Sequence, residues 1–105
     1  MSATTAKICK QLSADPFNLT DAKLIKSMYD PHDEINEVDT LIRIGTGLKL
    51  VKQRTDMIAK IAASIPSEDK KLLLKTADIW KARATSLNEL HQLIRENITE
   101  RAISE

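Results

Sequence analysis

Two apolar stripes of helical period, separated by only a few residues, constrain this chain more than any other feature. The first runs through Ile35, Val38, Leu41, Ile42, Leu48, Val51, Ile58, Ile61, Ala62 and Ile65, and the second through Leu73, Ala77, Trp80, Ala84, Leu87, Leu90, Ile94 and Ile98. Steps of mostly three or four residues gather side chains on one face of an α-helix, whereas a strand would alternate with a period of two. The spacing predicts helices over about 32–64 and about 67–102. Between them stands Ile65-Pro66-Ser67, where proline disfavours helical geometry in the residue before it and Ser67 is placed to cap a helix carrying Glu68 and Asp69 in its first turn. So short a break folds the two arms back on each other as an antiparallel hairpin.

Each arm would be about 50 Å long, and two such helices alone leave much of a wide apolar face in water. The N-terminal third supplies two shorter helical segments, about 3–12 with Ile8, Cys9 and Leu12 and about 20–29 with Leu24, Ile25 and Met28 after a Thr20 cap. The connector Ser13-Ala14-Asp15-Pro16-Phe17-Asn18 has turn chemistry. The fold class is therefore all-α, a long antiparallel helical hairpin (31–105) with two short N-terminal helices (1–30), forming a single domain over residues 1–105. The short helices can lie on the hairpin within one chain, or two hairpins can pair. The expectation here is that dimerisation, or a higher oligomer, completes the bundle.

Composition narrows the function classes. A chain of 105 residues with 42% hydrophobic and 30% charged residues suits one buried core, not a disordered coat. Two glycines, three prolines and three aromatics (Phe17, Tyr29 and Trp80) leave little for Gly-rich phosphate loops or base-stacking platforms. The single cysteine, Cys9, excludes an internal disulfide, which together with the absence of a secretory signal pattern points to the cytoplasm, and no segment is apolar for long enough to cross a bilayer. Ser/His/Asp, zinc-ribbon and dinucleotide fingerprints are missing, so the sequence points away from an enzyme and calls for no cofactor.

Four local features stand out. Asp30, Asp33, Glu34, Glu37 and Asp39 surround Pro31 and His32, but acids there are what a helix start with Asp30 as cap and Pro31 in its first turn favours, so no metal site is read. Gly45-Thr46-Gly47 lies inside the first arm, where each glycine costs about 1 kcal/mol relative to alanine. Pairing across the hairpin places these glycines opposite Ser86 and Ala84, predicting a close approach of the arms. Trp80, flanked by Ala77 and Ala84 with Leu73 and Leu87 on the same stripe, reads as a packing anchor and candidate self-association interface. Cys9 reads as core.

Charge is unevenly laid out. From Arg43 to Arg83 ten bases face four acids, a net of +6, while residues 30–40 and 89–105 combine nine acids with two bases, Arg95 and Arg101, a net of −7, within a total of +1. The leading expectation is a non-enzymatic helical interaction module, an adaptor, inhibitor or assembly subunit that self-associates and binds a protein partner. The alternative is polyanion binding, nucleic acid or nucleotide, through Lys49, Lys52, Arg54, Lys70, Lys71, Lys75, Lys81 and Arg83. A third reading docks the basic part of one hairpin on the acidic part of another.

Overall fold

The hairpin forms, and its inward face follows a stricter rule than steps of three or four. The structure, a computed structural model, describes residues 3–104. Its elements are α1 (Ala3–Leu12), α2 (Ala22–Ser27), α3 (Glu34–Ala62), a 3-10 turn at Ser67–Asp69, and α4 (Lys70–Ser104). Along α3 two rows of buried or half-buried positions stand out, Glu37, Ile44, Val51 and Ile58, seven apart, and Thr40, Gly47, Arg54 and Ile61, also seven apart, with Leu41, Leu48, Thr55 and Ala62 half-buried beside them. Along α4 the same pattern links Leu73, Trp80, Leu87, Ile94 and Arg101 with Thr76, Arg83, Leu90 and Asn97. A strict seven-residue repeat keeps one seam of each helix facing its partner over many turns, as in a coiled coil. The result is a rod of 59 × 22 × 16 Å.

This seam corrects part of the predicted stripe. Leu41, Leu48, Ile61, Ala62 and Ile65 pack at the core margin and Val51 and Ile58 inside it, but Ile35 (77% exposed), Val38 and Ile42 (61%) point outwards, and Ile98 is also exposed. Thr40 and Glu37 hold inward places with their hydrogen bonds met there. Thr40 Oγ1 donates to the Asn36 carbonyl at 2.8 Å, and Glu37 is held by Tyr29, between α2 and α3, and by Arg101 of α4. A buried polar group so satisfied costs little, so pattern alone cannot tell it from an outward one.

The N-terminal third covers the hairpin within the same chain. Thr5 Oγ1 donates to the buried Asp69 carboxylate at 2.8 Å, and the Trp80 indole N–H donates to the Leu12 carbonyl at 2.8 Å, so α1 runs alongside α4 in the same direction over the half near the turn. α2 continues that line, packing on both α3 and α4. Cys9, Leu12 and Ile25 thereby join Ile44, Val51, Ile58, Leu73, Trp80, Leu87, Leu90 and Ile94 in one core. Cover for the hairpin within one chain is thus the first of the two arrangements the sequence allows.

The helix starts differ from the sequence reading in detail. Asp21, not Thr20, caps α2, accepting from Leu24 N, and Asp33, not Asp30, caps α3, accepting from Ile35 N and Asn36 N. Thr20 is instead buried, its N–H and hydroxyl donating to the Asp15 carboxylate at 2.8 and 2.6 Å while Leu19 N donates to the other oxygen at 2.9 Å. Asn18, at φ 54°, supplies the left-handed residue this tight connector needs. Pro66 precedes the 3-10 turn without a side-chain cap, so Ser67 does not play the role its position suggested.

Gly45 and Gly47 leave α3 unbroken and do different things. A Cβ on Gly47 would stand 2.4 Å from the Leu19 carbonyl oxygen and 3.0 Å from Leu87 Cδ1, so the connector and α4 both press against this position. The close approach is real at Gly47, but its neighbours are Leu19 and Leu87, not Ala84. Around Gly45 a Cβ would meet nothing within 4 Å, so no approach of the arms explains that glycine.

Candidate functional site

The stripe around Trp80 is interior. Trp80 and Leu87 are 0% exposed and Leu73 1%, so these three pack within their own chain, with Ala77 and Ala84 half-buried beside them. What Trp80 anchors is α1. The last carbonyls of a helix lack intrahelical donors, and here three successive carbonyls leaving α1 are met from the hairpin. Leu12 O accepts from the Trp80 indole, Ser13 O from Arg83 at 3.2 Å, and Ala14 O from Arg54 at 3.4 Å. The two guanidinium groups also lie over the indole, 4.5 Å (Arg83) and 5.8 Å (Arg54) from its ring centroid, a cation–π arrangement that favours their staying there.

That use engages Arg54 and Arg83 of the predicted polyanion surface inside the chain. Both are half-buried, whereas Lys49, Lys52, Lys70, Lys71, Lys75 and Lys81 are exposed. Lys52 pairs with Asp56 at 3.3 Å on the solvated side of α3. Among the described residues no group of three or more His, Cys, Asp or Glu is placed to hold a metal ion. Cys9 is a buried free thiol. Glu105, counted above among the acids, lies outside the described residues.

The other end of the hairpin is joined by a polar cluster. Glu37, 3% exposed, accepts from the Tyr29 hydroxyl at 2.7 Å and is ion-paired with Arg101, which also donates to the Pro31 carbonyl at 3.1 Å. Asn97 Nδ2 donates to the Tyr29 oxygen at 3.2 Å. Burial alone would raise the Glu37 carboxyl, but the Tyr29 hydroxyl and the Arg101 guanidinium outweigh it and hold the group below its ordinary range. Tyr29 is pushed up, first by burial and then by the carboxylate it donates to, against an opposing effect of Asn97. The cluster ties α3, α4 and the residues between α2 and α3 together, so its strong electrostatics have a structural use.

What this end leaves open is an apolar surface. α2 has six residues, too few to roof its half of the hairpin. Phe17 (79% exposed), Leu24, Met28, Ile35, Val38 and Ile42 all stand at the surface there. Phe17, Leu24, Met28 and Ile42, with Leu19, Ile25, Arg43 and Thr46, line a groove of about 160 Å³. Arg43, exposed, supplies the charged group of its lining. The sequence reading put Leu24, Met28, Ile35, Val38 and Ile42 in the core and assigned Phe17 to a turn. The signal that separates them is the seven-residue repeat beginning at Glu37, which makes 35, 38 and 42 the outermost positions of the helix.

Compared with protein-family models, with curated proteins and with solved structures, the chain matches none. No helix among the described residues is long and apolar enough to cross a membrane.

Proposed function

We propose that this chain is a non-enzymatic helical protein-interaction module, and that its docking surface is the apolar area of Phe17, Leu24, Met28, Ile35, Val38 and Ile42, in place of the Trp80 stripe. The observation that carries this reading is four exposed apolar side chains, Phe17, Leu24, Met28 and Ile42, lining one groove, with the exposed Ile35 and Val38 on the same helix as Ile42, at the end of the molecule where the internal cover is shortest. Isolated exposed apolar residues are ordinary on soluble proteins, whereas adjoining ones rimmed by charge are characteristic of interaction surfaces. Phe and Met are among the residue types enriched at such interfaces. The exposed lysines ask for less explanation, since water and counter-ions satisfy them, and two of the guanidinium groups that polyanion binding would use are bonded inside the chain.

A photoreactive amino acid placed at Ile42 tests the reading in the cells that make the protein. Covalent adducts with protein, of whatever identity, are expected at 42 and not at Leu74, an equally accessible apolar position on the basic half of α4 (63% exposed). Equal labelling at the two positions, or no protein adduct at 42, would remove the docking surface. Retention of the pure protein on duplex DNA, lost with rising salt and with Lys70→Ala/Lys71→Ala/Lys75→Ala, would instead favour the polyanion alternative.

A further inference from the structure

Two costs in α3 have no return inside the chain. Ile35, Val38 and Ile42 hold apolar surface in water, and Gly45 weakens the helix at a site where a Cβ would touch nothing. They fall on one line. Positions 35, 38, 42, 45, 49, 52 and 56 advance by alternating threes and fours, a second seven-residue seam on the side of α3 turned away from α4. Its first half reads Ile35, Val38, Ile42, Gly45 and its second Lys49, Lys52, Asp56, with Glu34 and Asp39 beside the apolar half. All of these side chains are exposed.

We infer that this seam is a homodimer interface, in which two copies pair antiparallel along α3 about a two-fold axis between Ile42 and Gly45. This rests on the interaction-module reading above and names its occupant. The argument is self-complementarity. In an antiparallel pair whose facing positions sum to 87, Ile42 lies over the partner subunit's Gly45, so a bulky side chain meets the one seam position with no side chain to obstruct it. Val38 faces Lys49 of the partner subunit and Ile35 faces Lys52 of the partner subunit. The lysine stems extend over the apolar residues while their ammonium groups reach Asp39 and Glu34, which flank those residues. Each contact occurs twice, as a two-fold interface requires. A parallel pair would lay lysines on lysines and leave the acids together, so charge selects the antiparallel arrangement. The internal pair of Lys52 with Asp56 does not oppose this, because an exposed pair four residues apart on a helix is weak. The groove beside Ile42 opens next to the axis, where Phe17 stands.

Sedimentation equilibrium of the purified full chain, with helicity followed by circular dichroism, decides the matter. The expected result is a dimer, twice 11.8 kDa, at tens of micromolar. Ile42→Glu is expected to yield a folded monomer, and Glu34→Lys to weaken the dimer by about tenfold or more, a difference of about 1.4 kcal/mol. Glu34→Lys combined with Lys52→Glu should restore it, which a general loss of stability would not do. Gly45→Leu, harmless to an isolated chain with open space at that site, should also weaken the dimer. A monomer at every concentration, or a dimer indifferent to Ile42→Glu and to the charge exchange, overturns the inference. If adducts at Ile42 then join other proteins, the interaction module stands without its homodimer. If no adduct forms at all, the module reading falls as well.

Discussion

The two halves of the rod are held shut by different physics. Near the turn, α1 is fixed by an indole and two guanidinium groups donating to main-chain carbonyls and by the Thr5 hydroxyl donating to the Asp69 carboxylate, with the tryptophan ring wholly buried. At the open end, the closure is a carboxylate with a phenol, an amide and a guanidinium around it, and the covering helix is a turn and a half long. Exposed apolar residues occur in both halves, but Phe17, Leu24, Met28 and Ile42 line a groove beside the shorter cover. The difference teaches that one continuous helix pair can be closed by buried apolar packing at one end and by a polar cluster under a short cover at the other.

Chemical denaturation of Trp80→Ala is the strongest attack on the first half. Removing a fully buried indole should cost about 3–5 kcal/mol, and the Leu12 carbonyl loses its donor as well. Trp80→Phe should recover most of the packing and none of the hydrogen bond. A loss below about 1 kcal/mol would mean that α1 does not depend on this anchor.

Acid should act on the second half. Because the folded Glu37 titrates below its unfolded value, its contribution is complete above about pH 4.3 and is lost as pH falls through the lower folded value. The melting temperature of the native chain should therefore drop on acidification, and Glu37→Gln, less stable at neutral pH, should show a flatter acid limb. Asp15 is likewise held low, burial being outweighed by hydrogen bonds from Thr20 and Leu19 and by Arg83, so some acid sensitivity will remain in that variant. An unchanged acid limb in Glu37→Gln would place the titrating closure elsewhere.

The two glycines sharpen the contrast on a finer scale. Gly47→Ala forces a methyl against a main-chain carbonyl and should destabilise by about 1–3 kcal/mol, as overpacking does. Gly45→Ala, measured in an Ile42→Glu background so that association cannot intrude, should stabilise by about 0.5–1 kcal/mol through helix propensity alone. Smallest of all, Asp56→Ala removes an exposed ion pair and should change the unfolding free energy by about 0.5 kcal/mol or less.

The sequence made the hairpin, the break at Pro66 and the existence of two short N-terminal helices legible, because length and apolar period suffice for these. It did not reveal which side of α3 faces inwards. Ile35, Val38 and Ile42 are as apolar as Ile44 and Val51, and what turns them outwards is a non-local fact, the meeting of Glu37 with Tyr29 and Arg101. The charge tally is blind in the same way to the surroundings of Arg54 and Arg83. Counting sees two cations, whereas their neighbours across the bundle are the end of a helix and the face of an indole. Gly45 and Gly47, two residues apart, cannot be separated without knowing that Leu19 passes over one of them.

The docking of α1 has a practical corollary in spectroscopy and thiol chemistry. The chain has one tryptophan and one cysteine, Trp80 lies beneath the end of α1, and Cys9 is buried on α1 itself. Lifting that helix would wet the indole and uncover the sulfur in the same event. The emission maximum of the native protein thus reports whether α1 is seated, and the rate at which a disulfide reagent captures the thiol, divided by the rate for an unprotected cysteine, measures how often it leaves its seat while the long hairpin stays folded.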